Sequence, residues 1–398
     1  MMTAGGNPPV PLLFLVGDTG GGHRSAARAV GQALDVACPG RFAPVICDPL
    51  LGPGAPLRLR WLMALYAPAI RLTPWLWGAL WRGFGTPRTL RLARRTLLAP
   101  AYRSVASAVA AHQPAVIVAF HPLTTHPAVR ARDRGAPGAS VITVVTDLVT
   151  THLSWRDAAV DRIIVPSAPI ASQCELDGMP KGRCVQVGLP VGAEFSGALC
   201  GVPERGVLQR SLGLRAPAFL VLMTGGAEGS GRIYRRAAAI LREVHDVEVA
   251  VICGRNRSLR YRLSRLAARA DGRLIVRGFV DNMVDWLRCA DVVVSKAGPG
   301  TIAEAACCGA PLVLTSYVPG QEEGNAEFVV SAGAGRYAPR LRDLVAEIRW
   351  LRHNPAALAT MRAASARLSR PDAAADIAGL VAGLAGQSGQ RMPERADR

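Results

Sequence analysis

Two glycine-rich loops constrain this chain more than any other feature. The first, Asp18-Thr19-Gly20-Gly21-Gly22-His23, follows the apolar run Pro11 to Gly17 and leads into helical composition from Arg24 to Val36. The second, Ser295-Lys296-Ala297-Gly298-Pro299-Gly300, follows Val292 to Ser295 and leads into a helix near Thr301. A strand, a loop of small residues and a helix start leave backbone amides facing outward, a ready seat for an anion. The same succession opens each half of a doubly wound α/β fold.

The intervening pattern agrees. Apolar runs at Val45–Cys47, Ala115–Ala119, Val141–Thr146, Arg162–Val165 and Val185–Gly188 alternate with helical segments. A second series runs through Phe219–Met223, Val247–Cys253, Leu274–Arg277, Val292–Ser295 and Pro311–Leu314. Alternation of this kind predicts parallel sheets, here two Rossmann-like domains with a ligand crevice at the strand ends. Composition turns irregular near Gly197–Gly206, which places a first domain at residues 1–200 and a second at 201–385, with 386–398 as a polar, disordered tail. A length of 398 residues suits two cores of ordinary size.

Charge narrows the partners. The net charge is +18, and no Asp or Glu occurs from Pro49 to Arg132. That stretch holds Trp61, Tyr66, Trp75, Trp77, Trp81 and Phe84 among arginines that include Arg58, Arg60, Arg71, Arg82, Arg88 and Arg94. Rings at headgroup depth and guanidinium groups on anionic lipid suit a membrane interface. The many apolar neighbours (Leu62, Met63, Leu65, Leu76, Leu80) argue against a solvated nucleic-acid groove, and a buried helical excursion is the structural alternative. Prolines and Arg71 interrupt the most apolar window, Trp61 to Trp81, so no membrane span is predicted. The nine cysteines form no C-x-x-C framework and the N-terminus has no basic leader, which together predict free thiols in a cytoplasmic protein.

Several constellations carry chemistry. His23 falls in the first helical turn after the first loop. The dinucleotide fingerprint is not present in clean form, so a nicotinamide cofactor is disfavoured, and an ordinary tight turn remains the bland alternative. Glu304, three residues beyond Thr301, can bond ribose hydroxyls or close a capping box with Thr301. Pro319-Gly320-Gln321-Glu322-Glu323-Gly324-Asn325 is dense in hydrogen-bonding groups that suit sugar hydroxyls or a solvated helix start. His121, His126, His152 and Asp147 lie near strand ends, but their spacing matches no strong metal pattern, so lining or structural roles are predicted and no metal.

These residues together resemble the monogalactosyldiacylglycerol synthase and processive diacylglycerol glucosyltransferase family, relatives of the peptidoglycan glycosyltransferase MurG. The resemblance rests on Asp18 to Ala26, His121-Pro122-Leu123, Thr146-Asp147-Leu148 with His152 and Trp155, Cys253-Gly254-Arg255-Asn256, Gly278 to Met283, Lys296 to Ala305 and Pro319 to Asn325. These occur in the family's order over about residues 11–340.

The resemblance implies a GT-B fold with the two domains facing a central cleft. It implies an inverting, metal-independent transfer of galactose or glucose from a UDP-sugar, a substrate and not a cofactor, to diacylglycerol or a related lipid. It implies His23 as base or as a close contact of the donor phosphates, with Asp18 or Asp147 as base or orienter instead. It also implies donor contacts from Gly21, Gly22, Thr224, Gly225, Gly226, Arg255 and Asn256. Gly278, Phe279, Val280 and Met283 would meet uracil. The loop Ser295, Lys296, Ala297, Gly298, Pro299, Gly300 and Thr301 would hold the diphosphate, Glu304 the ribose, and Gln321, Glu322 and Asn325 the sugar. Trp61, Trp75, Trp77, Trp81, Arg82 and Arg88 occupy the position of a docking region for an anionic membrane, which would place the protein on the inner face of the cell membrane with no nucleic-acid partner. A MurG-like N-acetylglucosaminyltransferase, a UDP-sugar epimerase and a non-enzymatic basic module are the rival readings. No motif here separates galactose from glucose, which differ in the orientation of one hydroxyl.

Overall fold

The computed structural model describes residues 8–18, 21–52, 54–65, 68–69, 73–197, 204–215, 218–229 and 231–391. Thr19, Gly20, Tyr66 and Arg71 of the sequence motifs lie outside these residues, as do residues 392–398 of the expected tail. The chain divides into two compact units, residues 1–193 with 372–398, and residues 194–371.

In the first unit the strands are β1 (Val10–Leu15), β2 (Phe42–Cys47), β3 (Val116–Ala119), β4 (Ser140–Val144), β5 (Arg162–Val165) and β6 (Cys184–Gln186). The helices are α1 (Gly22–Ala37), α2 (Leu57–Ala64), α3 (Pro74–Gly83), α4 (Pro87–Arg95), α5 (Ala99–His112), α6 (Pro122–Gly135) and α7 (Ala168–Leu176). The second unit adds β7 (Leu220–Thr224), β8 (Glu248–Ile252), β9 (Leu274–Arg277), β10 (Val292–Ser295), β11 (Leu312–Leu314) and β12 (Gly335–Tyr337). Its helices are α8 (Arg205–Ser211), α9 (Ile233–Glu243), α10 (Arg257–Ala267), α11 (Met283–Cys289), α12 (Pro299–Cys307), α13 (Glu323–Ser331), α14 (Leu341–His353) and α15 (Pro355–Arg367). A last helix, α16 (Ala373–Arg391), belongs to the first unit.

Each sheet has six parallel strands, in the orders β2-β1-β3-β4-β5-β6 and β12-β11-β10-β7-β8-β9. Strands covered on both faces must be apolar throughout, which is why β3, β4, β7, β8 and β10 read as unbroken buried runs. The chain order reverses between β1 and β3 in the first sheet and between β7 and β10 in the second. Such switch points open a crevice at the carboxyl ends of the strands.

Two expectations need correction. The second domain was expected to run to residue 385, but Ile377, Val381 and Ala385 on α16 bury against Val30 and Leu34 of α1 in the first unit's core. The tail was expected to begin at residue 386, but α16 remains helical to Arg391. An apolar stripe says that a helix needs a partner and does not say which one. The short edge strand β12 also escaped the sequence reading, because three residues give too little periodicity to detect.

Candidate active site

Register brings the first site together. Leu15 of β1 lies opposite Cys47 of β2 and Ala119 of β3, and Ala119 lies opposite Thr143 of β4. The next residues of all four strands therefore emerge at one end of the sheet: Gly17 and Asp18, Asp48, His121, and Thr146 with Asp147.

His23 sits in the first turn of α1, whose N-cap Gly21 has φ 85°, a conformation that disfavours a side chain. Its Nδ1 lies 2.7 Å from the Thr146 hydroxyl, and its ring meets His121 edge-on at 4.6 Å. Burial lowers its pKa to about 4, although the Phe120 carbonyl and the Asp18 and Asp48 carboxylates pull upward. The imidazole is therefore neutral at physiological pH and free to take a proton. His121 is also held well below its ordinary value, by burial and then by His23. Its Nδ1 accepts the Leu123 amide at 3.2 Å, so its proton is on Nε2.

Two carboxylates on either side have different tasks. Asp147 is buried and accepts a 2.6 Å bond from the indole N–H of the fully buried Trp155. Asp18 pairs with Arg24 at 3.2 Å, while its amide donates to Asp48 at 3.0 Å. Asp48 also accepts the Leu50 and Leu51 amides at 2.9 and 2.8 Å. Asp48 thus organises the glycine loop and was missed from sequence; its only signal was its position at the end of β2.

Gly17 allows this packing. A Cβ there would stand 2.6 Å from the His121 ring and 2.9 Å from Leu50. Gly17→Ala is expected to cost about 1–3 kcal/mol of stability, seen as a lower urea midpoint. An unchanged midpoint would mean that the His121 ring is free to move.

The other two histidines near the strand ends, His126 and His152, make packing and pairing contacts, and His126 also lines a cavity described below. His126 pairs with Asp157 at 2.7 Å. His152 accepts the Ser154 amide at 3.2 Å and packs on Trp81 at 4.8 Å, fastening α3 to the segment that carries Trp155. Among the described residues no group of three or more His, Cys, Asp or Glu is arranged to hold a metal ion.

The basic segment is divided by burial. Trp61 and Trp75 are 67% and 71% exposed, alongside Arg82 and Arg88, whereas Trp77 and Trp81 are half-buried. Leu57, Leu65, Leu76, Leu80, Leu92 and Leu97 are also exposed. The buried-excursion alternative therefore does not describe this segment. Beside it, a cavity of about 190 Å³ is lined by Leu90, Leu98, Leu123, Arg94, Arg95 and Arg130, among others.

In the second unit, the loop from Thr224 through Gly225 and Gly226 packs on the loop after β8. The Arg255 amide donates to the Ala227 carbonyl at 2.8 Å. The Asn256 side chain donates to Gly229 at 3.2 Å and caps α10 by accepting the Leu259 amide at 2.9 Å. Asn256 therefore shapes the loops. Arg255 pairs with Glu228 at 3.4 Å and lies over the ring of Phe279, which is 64% exposed. Phe279, with half-buried Gly278, Val280 and Met283, offers a flat aromatic surface.

The loop after β10 is pinned from behind. Ser295 bonds the Lys296 carbonyl at 2.9 Å, and Lys296 pairs with Glu322. Glu322 also accepts the Val318 amide at 2.9 Å. Asn325 donates to the buried Ala297 carbonyl at 2.9 Å. Glu322 and Asn325 are 4% and 1% exposed and join two loops, while the buried Asn325 Oδ1 has no hydrogen-bond partner among the described residues; Gln321 beside them is half-buried. Helix α12 takes Gly298 as its N-cap with no side-chain cap, then Pro299, Gly300 and Thr301, so the capping box is not formed. Glu304 is left half-buried with no hydrogen bond or ion pair to the described residues. Burial, then repulsion from Glu194, raises its pKa to about 7.

The sequence matches the family model for monogalactosyldiacylglycerol (MGDG) synthase over residues 23–191 and that for the glycosyltransferase family 28 C-terminal domain over residues 220–377. It is 33% identical to the probable monogalactosyldiacylglycerol synthase of Nicotiana tabacum over 382 residues, covering 92% of this chain and 69% of that protein. Among solved structures, Acinetobacter baumannii MurG aligns with a TM-score of 0.59 at 16% identity, covering 94% of this chain and all of the other. The Neisseria meningitidis UDP-GlcNAc 2-epimerase bound to UDP-GlcNAc aligns at 0.62 with 12% identity, covering 94% and 100%. Those two likenesses establish the fold, GT-B, and the sequence identity establishes the kinship. The chain is a family 28 glycosyltransferase and belongs to the monogalactosyldiacylglycerol synthase family.

Proposed function

We propose that the enzyme transfers galactose from UDP-galactose to the free hydroxyl of diacylglycerol, with inversion and without a metal. The observation that carries this reading is a neutral histidine at the first sheet's switch point, in a chain 33% identical to a relative named for galactolipid synthesis. In the tautomer that carries its proton on Nδ1, toward Thr146, Nε2 keeps its lone pair for the acceptor proton. The acceptor oxygen then bonds to the anomeric carbon as the bond to UDP breaks. Asp147 and Trp155 fix the wall beside Thr146.

In the second unit the amides of Gly225, Gly226 and Gly298 to Thr301 suit the diphosphate, and Phe279 suits the uracil face. Glu304, unpartnered, suits the ribose hydroxyls. The exposed tryptophans, leucines and arginines of α2 to α4 suit an anionic leaflet, and the cavity of about 190 Å³ beside them, lined by leucines and arginines, suits part of an amphiphile. We place the protein on the cytoplasmic face of the cell membrane, held peripherally; among the described residues no helix is long and apolar enough to cross one.

The test is a donor screen. UDP-galactose, UDP-glucose and UDP-N-acetylglucosamine are each supplied with diacylglycerol vesicles, and products are identified by mass and sugar analysis. Galactolipid is the expected product, and no turnover with any UDP-hexose would overturn the reading.

A pH dependence follows from Glu304. Ribose hydroxyls donate to the ionised carboxylate, so UDP binding must lower a pKa that starts at about 7 and release protons. Affinity for UDP-galactose, whose two phosphates are diesters and do not titrate near neutrality, is expected to rise between about pH 6 and pH 8 and to level off above that. In Glu304→Gln calorimetry with UDP-galactose should show weaker binding with no proton release, and release persisting in that variant would exclude Glu304.

A further inference from the structure

We propose that Arg236 is a diphosphate-binding residue, supplying from beneath the loops the positive charge that holds the donor's pyrophosphate. This rests on the UDP-sugar reading above. In the second sheet the order reverses between β7 and β10, and a small open cleft with about 10 Å³ of room lies at that reversal. Thr224, Ser295, Lys296, Thr315 and Arg236 line it. Arg236 comes from the first turn of α9, directly after the glycine-rich loop, and its Nη1 lies 3.5 Å from where a Cβ on Gly231 would stand.

The charge on Arg236 is not neutralised. The residue is 7% exposed, and its Nη2 donates to the Thr315 carbonyl at 2.9 Å. No carboxylate among the described residues pairs with it, and after burial the repulsion of Arg232 is what most lowers its pKa. Arg156, the other arginine buried to 7%, pairs with Asp177. Lys296, the other cation of the cleft, is neutralised by Glu322. Burying a guanidinium without an acid is costly, and tying α9 to the end of β11 needs only a neutral amide. An anion at the switch point accounts for the charge, and a guanidinium binds phosphate oxygens in a paired geometry that an ammonium does not reproduce.

UDP and uridine differ only in the diphosphate, so their comparison isolates this role. Calorimetry of Arg236→Gln is expected to show UDP affinity reduced about 10–100-fold with uridine affinity unchanged, and Arg236→Lys to fall between. The donor KM of Arg236→Gln should rise more than its kcat falls. Equal losses for UDP and uridine, in variants that melt as the wild type does, would make Arg236 structural and overturn the proposal. Unchanged UDP affinity would also overturn it. A variant that melts early is judged by the ratio of the two affinities in Arg236→Lys, which a structural defect leaves alone. Wild-type protein that binds no UDP would overturn the donor reading itself, a result distinct from the other two.

Discussion

Replacing His23 by alanine is expected to lower kcat about 10²–10⁴-fold while UDP affinity changes less than about threefold, because in the proposed reaction the base acts on the acceptor and the second unit binds the donor. The acid limb of the pH profile gives a second readout. Burial places the His23 pKa near 4, so the imidazole is already deprotonated at pH 6. The ordinary histidine limb near 6.5 should be missing from kcat/KM, and activity attributable to this group should fall only as pH approaches about 4. Full activity in His23→Ala would exclude it as the base and leave Asp18, paired with Arg24 at 3.2 Å, and Asp147, whose carboxylate is held by Trp155 at 2.6 Å. Thr146→Val should lose less, about 10-fold, since it orients the ring without touching the reacting atoms.

Replacing Trp61 and Trp75 by serine should weaken binding to anionic vesicles by about 100-fold, since an indole is worth about 1.5–3 kcal/mol when fully withdrawn from water and an interface withdraws it partly. These two are the rings to change. Trp81 packs on His152, and Trp77 packs on Trp81 at 6.2 Å, so replacing those would disturb the wall of the first site. Turnover on a detergent-dispersed acceptor should survive in the double variant. Vesicle binding should also weaken with salt, because Arg58, Arg60, Arg82 and Arg88 act through a screened potential. Unchanged vesicle binding at low salt in a folded double variant would remove the docking role from this segment.

Much of this protein could be read from local patterns. The two glycine-rich loops, the alternation of apolar runs with helices and the acid-free Trp/Arg stretch predicted two doubly wound units, and most strands lie within a residue or two of the expected positions. His23 was legible because its place depends only on the loop before it. The partners of these residues were not legible. Asp48, His121 and Thr146 come from different strand ends and meet around His23 because β1 pairs with both β2 and β3, and sheet order is not written in periodicity. Nor was it legible that Glu322 pairs with Lys296 and that Asn325 donates to the Ala297 carbonyl.

Sequence by itself determined the class of fold, the loops able to seat an anion and the stretch with excess positive charge, since each depends on residues adjacent in the chain. Only the tertiary structure decided which side chains are spent on one another and which are left with unmet capacity: Glu304 without a partner, Arg236 without an acid, and α16 returned to the first unit. Burial and pairing are properties of three-dimensional neighbours, and they determine whether a polar group holds the fold together or faces a substrate.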